Sequence, residues 1–127
     1  MKKCIFYWLP PIVWMGLIFS MSSRQSIGVS EEFIVNFIVF KFLHIVEYAF
    51  LYFLFLRAFR MYLSKNSKRA YLFAAIAAIL FAISDELHQI FVPTRQGSPR
   101  DIGIDALGIG LCFMYTKSNL EKLKMFL

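Results

Sequence analysis

The chain has 127 residues, of which 59% are hydrophobic and only 17% are charged, and 15 of them are phenylalanine. This composition excludes an ordinary soluble domain, because about half of such a domain is apolar and its helices need a polar face. The formal net charge of +6 would suit a nucleic-acid-binding protein, but the basic residues lie in short clusters between long apolar segments. We therefore predict no nucleic-acid partner and an all-α, polytopic membrane helical bundle that forms a single domain over residues 1–127.

Four apolar segments approach the length of about 20 helical residues that a bilayer core requires. They cover residues 4–21, 41–59, 70–92 and 102–116. The last is the thinnest, because about 15 helical residues reach only about 22 Å. Most of the 14 basic residues precede the first segment, separate the second from the third, or follow the fourth. Because basic residues favour the cytoplasmic side, the pattern predicts four transmembrane helices with both the N and C termini cytoplasmic.

A weaker apolar segment, residues 31–40, precedes the second predicted span. Phe33, Phe37 and Phe40 recur in it at helical spacing, and Ser30 is suited to cap its first turn. The segment is either a short helix on the outer membrane interface or an extension of the second span. The sequence leaves both interpretations open.

Polar residues are concentrated near the outer ends of the second, third and fourth predicted spans. They are Lys41, His44, Glu47, Asp85, Glu86, His88, Gln89, Arg95, Arg100, Asp101 and Asp105. Charged side chains within a membrane are costly, and they usually face the bundle interior and mark functional sites. The basic clusters mark the predicted cytoplasmic boundary of the membrane. At a helical rise of 1.5 Å per residue, Glu47, Asp105 and Asp85 lie about 15, 18 and 24 Å above this boundary. We therefore predict one outward-facing polar site that is closed on the cytoplasmic side by an apolar plug.

Local signals also orient parts of this site. Asp85 and Gln89 share a helical stripe with several alanines, and small residues allow close helix packing in membranes, so both side chains are predicted to point into the bundle. Ser98, Pro99 and Asp101 suit the N-cap, first and third positions of a helix. A helix is therefore predicted to begin directly after the outer turn.

Four blocks of the sequence carry a resemblance to a known family. They are Ser22-Ser23-Arg24-Gln25, Lys41-x-x-His44-x-x-Glu47-Tyr48, Ser84-Asp85-Glu86-x-His88-Gln89, and Pro93-x-Arg95-x-Gly97-Ser98-x-x-Asp101-x-x-x-Asp105-x-x-Gly108. With these blocks, over about residues 5–115, the chain resembles the VanZ-like membrane proteins. It departs from them at two positions, because many members have Asn at the position of Asp105 and often Gln at that of Arg24. The resemblance implies a multi-pass protein of the bacterial cytoplasmic membrane, with an envelope role that contributes to low-level teicoplanin resistance, and it implies no reaction.

Three interpretations of the polar cluster stay open. The first is structural, with Lys41, Arg95 and Arg100 neutralising nearby carboxylates of Glu47, Asp85 or Asp101. Ion pairs of this kind fix the order of helices in lipid.

The second interpretation is binding. Lys41, Arg95 and Arg100 are expected to hold an anionic group, because arginine forms forked hydrogen bonds to phosphate and carboxylate groups. Gln89, Asp101 and Asp105 complete the expected binding set. The expected ligand is a lipid-linked cell-wall precursor or a lipoglycopeptide, and the other expected partners are membrane lipids and a second copy of the chain in a homo-oligomer.

The third interpretation is catalysis, with a lipid phosphoester as the substrate. The candidate catalytic residues are His44, Glu47, Asp85, Glu86 and His88. His44 and Glu47, like Asp85 and His88, are three residues apart, which allows one helix face to offer two ligands to a metal. Asp105 is a further candidate ligand, and a bound water would be the nucleophile. Without a metal, His44 would serve as a general base that Glu47 orients. The sequence leaves open whether the protein is an enzyme and which cofactor it uses.

Overall fold

A computed structural model describes residues 2–24, 33–63, 67–93, 95, 97–123 and 125–126. In these residues the chain is helical and contains no strand, which confirms the predicted all-α class. The helices are α1 (Lys2–Ser22), α2 (Phe33–Tyr62), α3 (Ser67–Gln89), α4 (Pro99–Ser118) and the short α5 (Leu120–Leu123). By length and composition, α1, α2 and α3 can each cross a membrane. Within the described residues α4 is not apolar enough to be counted as a membrane-crossing helix by the same measure, because it has charged residues at both ends and at Asp105.

The helix boundaries settle the open question about residues 31–40. α2 begins at Phe33 and continues without a break to Tyr62, so the described part of this segment extends the second span. Residues 31 and 32 lie outside the described residues. α2 has 30 residues and is therefore about 45 Å long, more than the hydrocarbon core requires.

α4 begins as its sequence predicted and is longer than expected. Ser98 is its N-cap, with extended backbone angles, and the Ser98 Oγ accepts a hydrogen bond from the backbone N–H of Arg100 at 3.2 Å. Pro99 follows in the first turn, where its missing N–H costs nothing. With 20 residues the helix is about 30 Å long, compared with the 22 Å expected for residues 102–116.

Contacts at the two ends of the bundle define the directions of the long helices. At one end, which we call the outer end, Ser22 of α1 contacts Asp85 of α3 and Lys41 of α2 contacts Asp101 of α4. At the opposite end, the Tyr62 hydroxyl of α2 donates to Cys4 Sγ of α1 at 2.8 Å. Consequently α1 and α3 run in one direction and α2 and α4 in the other.

The core below the outer end is formed by large residues of α2 and small residues of α3. Leu51, Tyr52 and Leu56 are fully buried and pack with Ala74 and Ala78. Asp85 and Gln89 continue the alanine stripe and are buried as well, so their predicted orientation into the bundle is confirmed. Large apolar side chains cover the outside of the bundle, as a lipid-facing surface requires.

Candidate functional site

The outer end of the bundle brings residues of α2, α3 and α4 together in two adjacent groups. The first group, which we call the acid–histidine cluster, consists of His44, Glu86 and Asp105. The second, which we call the basic ledge, consists of Phe37, Lys41, Arg100 and Asp101.

The centre of the acid–histidine cluster is a contact between α2 and α4. His44 Nδ1 lies 2.9 Å from Asp105 Oδ1, and the Asp105 side chain has no exposed surface. The other carboxylate oxygen, Asp105 Oδ2, is buried and has no hydrogen-bond partner among the described residues. The imidazole of His44 is thus paired with a residue of another helix, whereas the sequence suggested Glu47 on the same helix.

Glu86 joins the cluster from α3 and ties the outer turn to that helix. Its Oε2 accepts a hydrogen bond from the backbone N–H of Ser98 at 2.9 Å, and its Oε1 accepts one from Gln89 Nε2 at 3.3 Å. Glu86, His44 and Asp105 each offer one possible metal-ligand atom, and these three atoms lie within 4.8 Å of one another. A single metal ion could therefore bind all three residues.

Asp85 lies beside the cluster and contacts α1. Its Oδ1 accepts a hydrogen bond from Ser22 Oγ at 2.6 Å, and its Oδ2 accepts one from Gln89 Nε2 at 3.1 Å. A cavity of about 70 Å³ opens next to these groups and is lined by Ile18, Met21, Ser22, Phe40, Leu43, His44, Glu47, Asp85, Gln89 and Arg95. This volume suits water or a small ion better than a bulky ligand.

Arg95 and His88 hold the end of α1. Arg95 Nε donates to the Arg24 carbonyl at 3.1 Å and Arg95 Nη2 donates to the Met21 carbonyl at 3.3 Å. His88 Nε2 lies 2.9 Å from Ser23 Oγ, and its ring stacks on Phe19. Carbonyls at a helix end have no partner within the helix, and Arg95 supplies one here.

The basic ledge lies where α2 and α4 begin. Lys41 Nζ pairs with Asp101 Oδ1, and Arg100 Nε lies 3.9 Å from the same oxygen. Both cations lie over the ring of Phe37, with Lys41 Nζ at 5.5 Å and the Arg100 guanidinium carbon at 5.3 Å from its centre. Arg100 is 68% exposed. Two cations thus share one largely buried carboxylate, and the ledge residues carry a net positive charge that only Arg100 presents on an accessible surface.

The structure divides the predicted metal ligands among different contacts. His44 is grouped with Glu86 and Asp105, while Asp85 bonds to Ser22 and Gln89. His88 bonds to Ser23, which directly follows α1, and Glu47 lines the cavity. The first interpretation of the sequence, in which cations neutralise carboxylates, corresponds to the pairing of Lys41 and Arg100 with Asp101.

Ser22 and Ser23 are site residues that the sequence analysis did not include among its candidates. Both bond to polar groups of α3, Ser22 to Asp85 and Ser23 to His88. The available signal was their position in the first of the four blocks, directly after an apolar span. Hydroxyls at such a position can reach polar groups of neighbouring helices.

Comparisons with known proteins give one match. A family model described as VanZ/LLP1 matches residues 6–120, a segment that contains the acid–histidine cluster and the basic ledge. No curated protein and no solved structure matches the chain. The family predicted from the four sequence blocks is thus confirmed.

Proposed function

Because the chain belongs to the VanZ/LLP1 family, we propose that it is a multi-pass protein of the bacterial cytoplasmic membrane that binds an anionic envelope component at the basic ledge. In this proposal α4 is a fourth span, and both termini are cytoplasmic. The assignment of α4 as a span is supported by its length of about 30 Å and by its close packing along α2. The basic residues Arg57, Lys68 and Lys117 all lie toward the end opposite the ledge, as the positive-inside rule requires.

One observation carries the binding proposal: Lys41 and Arg100 lie over the same ring and share a single carboxylate. The ledge residues therefore carry two positive charges and one negative charge, and in this proposal they lie at the level of the lipid headgroups. Arg100 is also at the N-terminal turn of α4, where the helix dipole favours an anion. The ligand class that fits is a phosphate group on a lipid-linked cell-wall precursor, or an anionic group of a lipoglycopeptide.

The small cavity is a less suitable place for such an anion. The carboxylates of Glu47 and Asp85 line it and would repel a phosphate group. Arg95 also lines it, but two nitrogens of its guanidinium donate to the carbonyls of Met21 and Arg24 at and just beyond the end of α1. We therefore assign Arg95 to positioning α1 and assign anion binding to Lys41 and Arg100.

Native mass spectrometry of the detergent-purified protein, titrated with a polyprenyl phosphate, tests the proposal. Replacing Arg100 by Gln leaves the Lys41–Asp101 pair in place, and it should weaken binding about tenfold, since a hydrogen bond to a charged group contributes about 1.5 kcal/mol or more. The matched control is Arg57→Gln. Like Arg100, Arg57 is a cation packed over aromatic rings, in its case those of Phe6 and Tyr7, but it lies near the opposite end of the bundle. Equal affinity of both variants and the original protein would contradict the ledge as the binding site.

A susceptibility assay tests the envelope role. Expression of the chain in a teicoplanin-susceptible bacterium should raise the inhibitory concentration of teicoplanin, and the Arg100→Gln variant should lose this effect at equal membrane abundance. The Arg57→Gln variant should retain it. An inhibitory concentration that does not change on expression would count against the resistance role.

A further inference from the structure

We propose that His44, Glu86 and Asp105 bind a divalent transition-metal ion at the acid–histidine cluster. The three residues come from three different helices, α2, α3 and α4, yet one donor atom of each lies within 4.8 Å of the other two. The proposal is independent of the basic ledge, because none of the three residues belongs to it.

An unpartnered buried oxygen gives a second reason to place a cation here. The Asp105 side chain has no exposed surface, and its Oδ2 has no hydrogen-bond partner among the described residues. A buried carboxylate is stable only when charge and hydrogen bonds compensate for its lost hydration. His44 Nδ1 is the partner of Oδ1 alone. A cation bound between the two side chains would replace this hydrogen bond and would also bind the remaining oxygen, Oδ2.

The donor set indicates which cations fit. One imidazole and two carboxylates are typical ligands of Zn²⁺, Mn²⁺, Co²⁺ and Fe²⁺, whereas Ca²⁺ and Mg²⁺ prefer oxygen ligands alone. Three protein ligands leave at least one coordination position for water. His44 also lines the cavity of about 70 Å³, so water has room beside the cluster.

The hydrogen bonds of Glu86 are compatible with such a site. The backbone N–H of Ser98 and the amide of Gln89 each donate to one oxygen of Glu86. A carboxylate oxygen can accept one such bond and still coordinate a metal, and hydrogen bonds of this kind orient metal ligands. Gln89 also donates to Asp85, which thus supports the cluster from outside.

The test is a titration of the tag-free, chelator-treated protein with Co²⁺, followed by visible absorption. We expect one equivalent to bind and to produce ligand-field bands. Asp105→Asn and His44→Gln should each weaken binding by about tenfold to hundredfold or more. Even the loss of a residue that only hydrogen-bonds to a metal ligand weakens metal affinity by about tenfold to hundredfold. Glu121→Gln is the control: this carboxylate lies in α5, beyond the opposite end of α4, and outside the proposed ligand set, so binding should not change.

Three outcomes would overturn the proposal. They are no Co²⁺ binding by the folded original protein, unchanged binding by folded Asp105→Asn and His44→Gln variants, and an equal loss in the Glu121→Gln variant. If the Asp105 and His44 variants fail to fold, X-ray absorption at the cobalt edge of the original protein decides the question. It should show one imidazole and otherwise oxygen ligands, and the absence of an imidazole would reject the site.

Discussion

Gly108 of α4 lies directly against the backbone of Ile45 in α2. A Cβ atom built at Gly108 would be 2.3 Å from the Ile45 carbonyl oxygen and 3.0 Å from its Cα. The two helices thus touch backbone to backbone at a position that is one turn from Asp105 and adjacent to His44. This close approach allows the short side chain of Asp105 to reach the imidazole.

Substituting Gly108 by Ala should therefore separate α2 from α4 and destabilise the protein. We expect the free energy of unfolding to fall by about 1–3 kcal/mol, the usual cost of overpacking, as measured by thermal unfolding in detergent. Gly110→Ala is the matched control, because a Cβ at Gly110 would meet nothing within 4 Å. Alanine favours a helix by up to about 1 kcal/mol over glycine, so this variant should be as stable or more stable. Equal stability of the two variants would contradict the backbone contact.

Ser22→Ala should loosen the contact between α1 and α3. The substitution removes the 2.6 Å hydrogen bond to Asp85, and a buried carboxylate that loses a donor costs about 1–3 kcal/mol. Ser84→Ala is the control on α3, because Ser84 is exposed and, among the residues that the structure describes, its hydroxyl bonds to the Phe81 carbonyl of its own helix. We expect thermal unfolding at a lower temperature for Ser22→Ala alone, and the same temperature for both variants would show that the Ser22 contact does not stabilise the fold.

Arg95→Gln should free the end of α1. Without the guanidinium, the carbonyls of Met21 and Arg24 lose the donors that Arg95 provides. Hydrogen exchange of the backbone amides at the end of α1 should become about tenfold faster, which corresponds to a loss of about 1.4 kcal/mol in local stability. Arg100→Gln, at the other side of the outer end, should leave this exchange unchanged. Unchanged exchange in Arg95→Gln would remove its assignment as a positioning residue.

Local features of the fold could be predicted from the sequence. Apolar length located α1, α2 and α3, and Ser98 marked the start of α4, because capping depends on residues that are close in the chain. The continuity of α2 through residues 33–40 could not be predicted, since the same apolar spacing serves a buried and an interfacial helix.

The partners of the site residues could be predicted only in part. Depth counting predicted that three helices bring their polar residues to one end. It could not predict the contact of His44 with Asp105, because the two are separated by 61 positions in the chain and their pairing depends on how α2 and α4 pack. The i, i+3 spacing of His44 and Glu47 suggested a nearer partner. The partners of Arg95 are backbone carbonyls, which no sequence pattern reveals.

The buried hydroxyl of Tyr48 leads to the last prediction. Tyr48 is fully buried, its ring lies parallel to that of His44, and its hydroxyl has no hydrogen-bond partner among the described residues. Removing an unpartnered buried hydroxyl relieves an uncompensated loss of hydration, so Tyr48→Phe should leave the free energy of unfolding unchanged or raise it by about 1 kcal/mol. Tyr48→Ala removes the ring as well, and it should cost about 3–5 kcal/mol, as for other buried aromatic residues. Both values are measured by chemical unfolding in the same detergent, and a loss of more than 1 kcal/mol in Tyr48→Phe would show that the hydroxyl has a bound partner such as an ordered water.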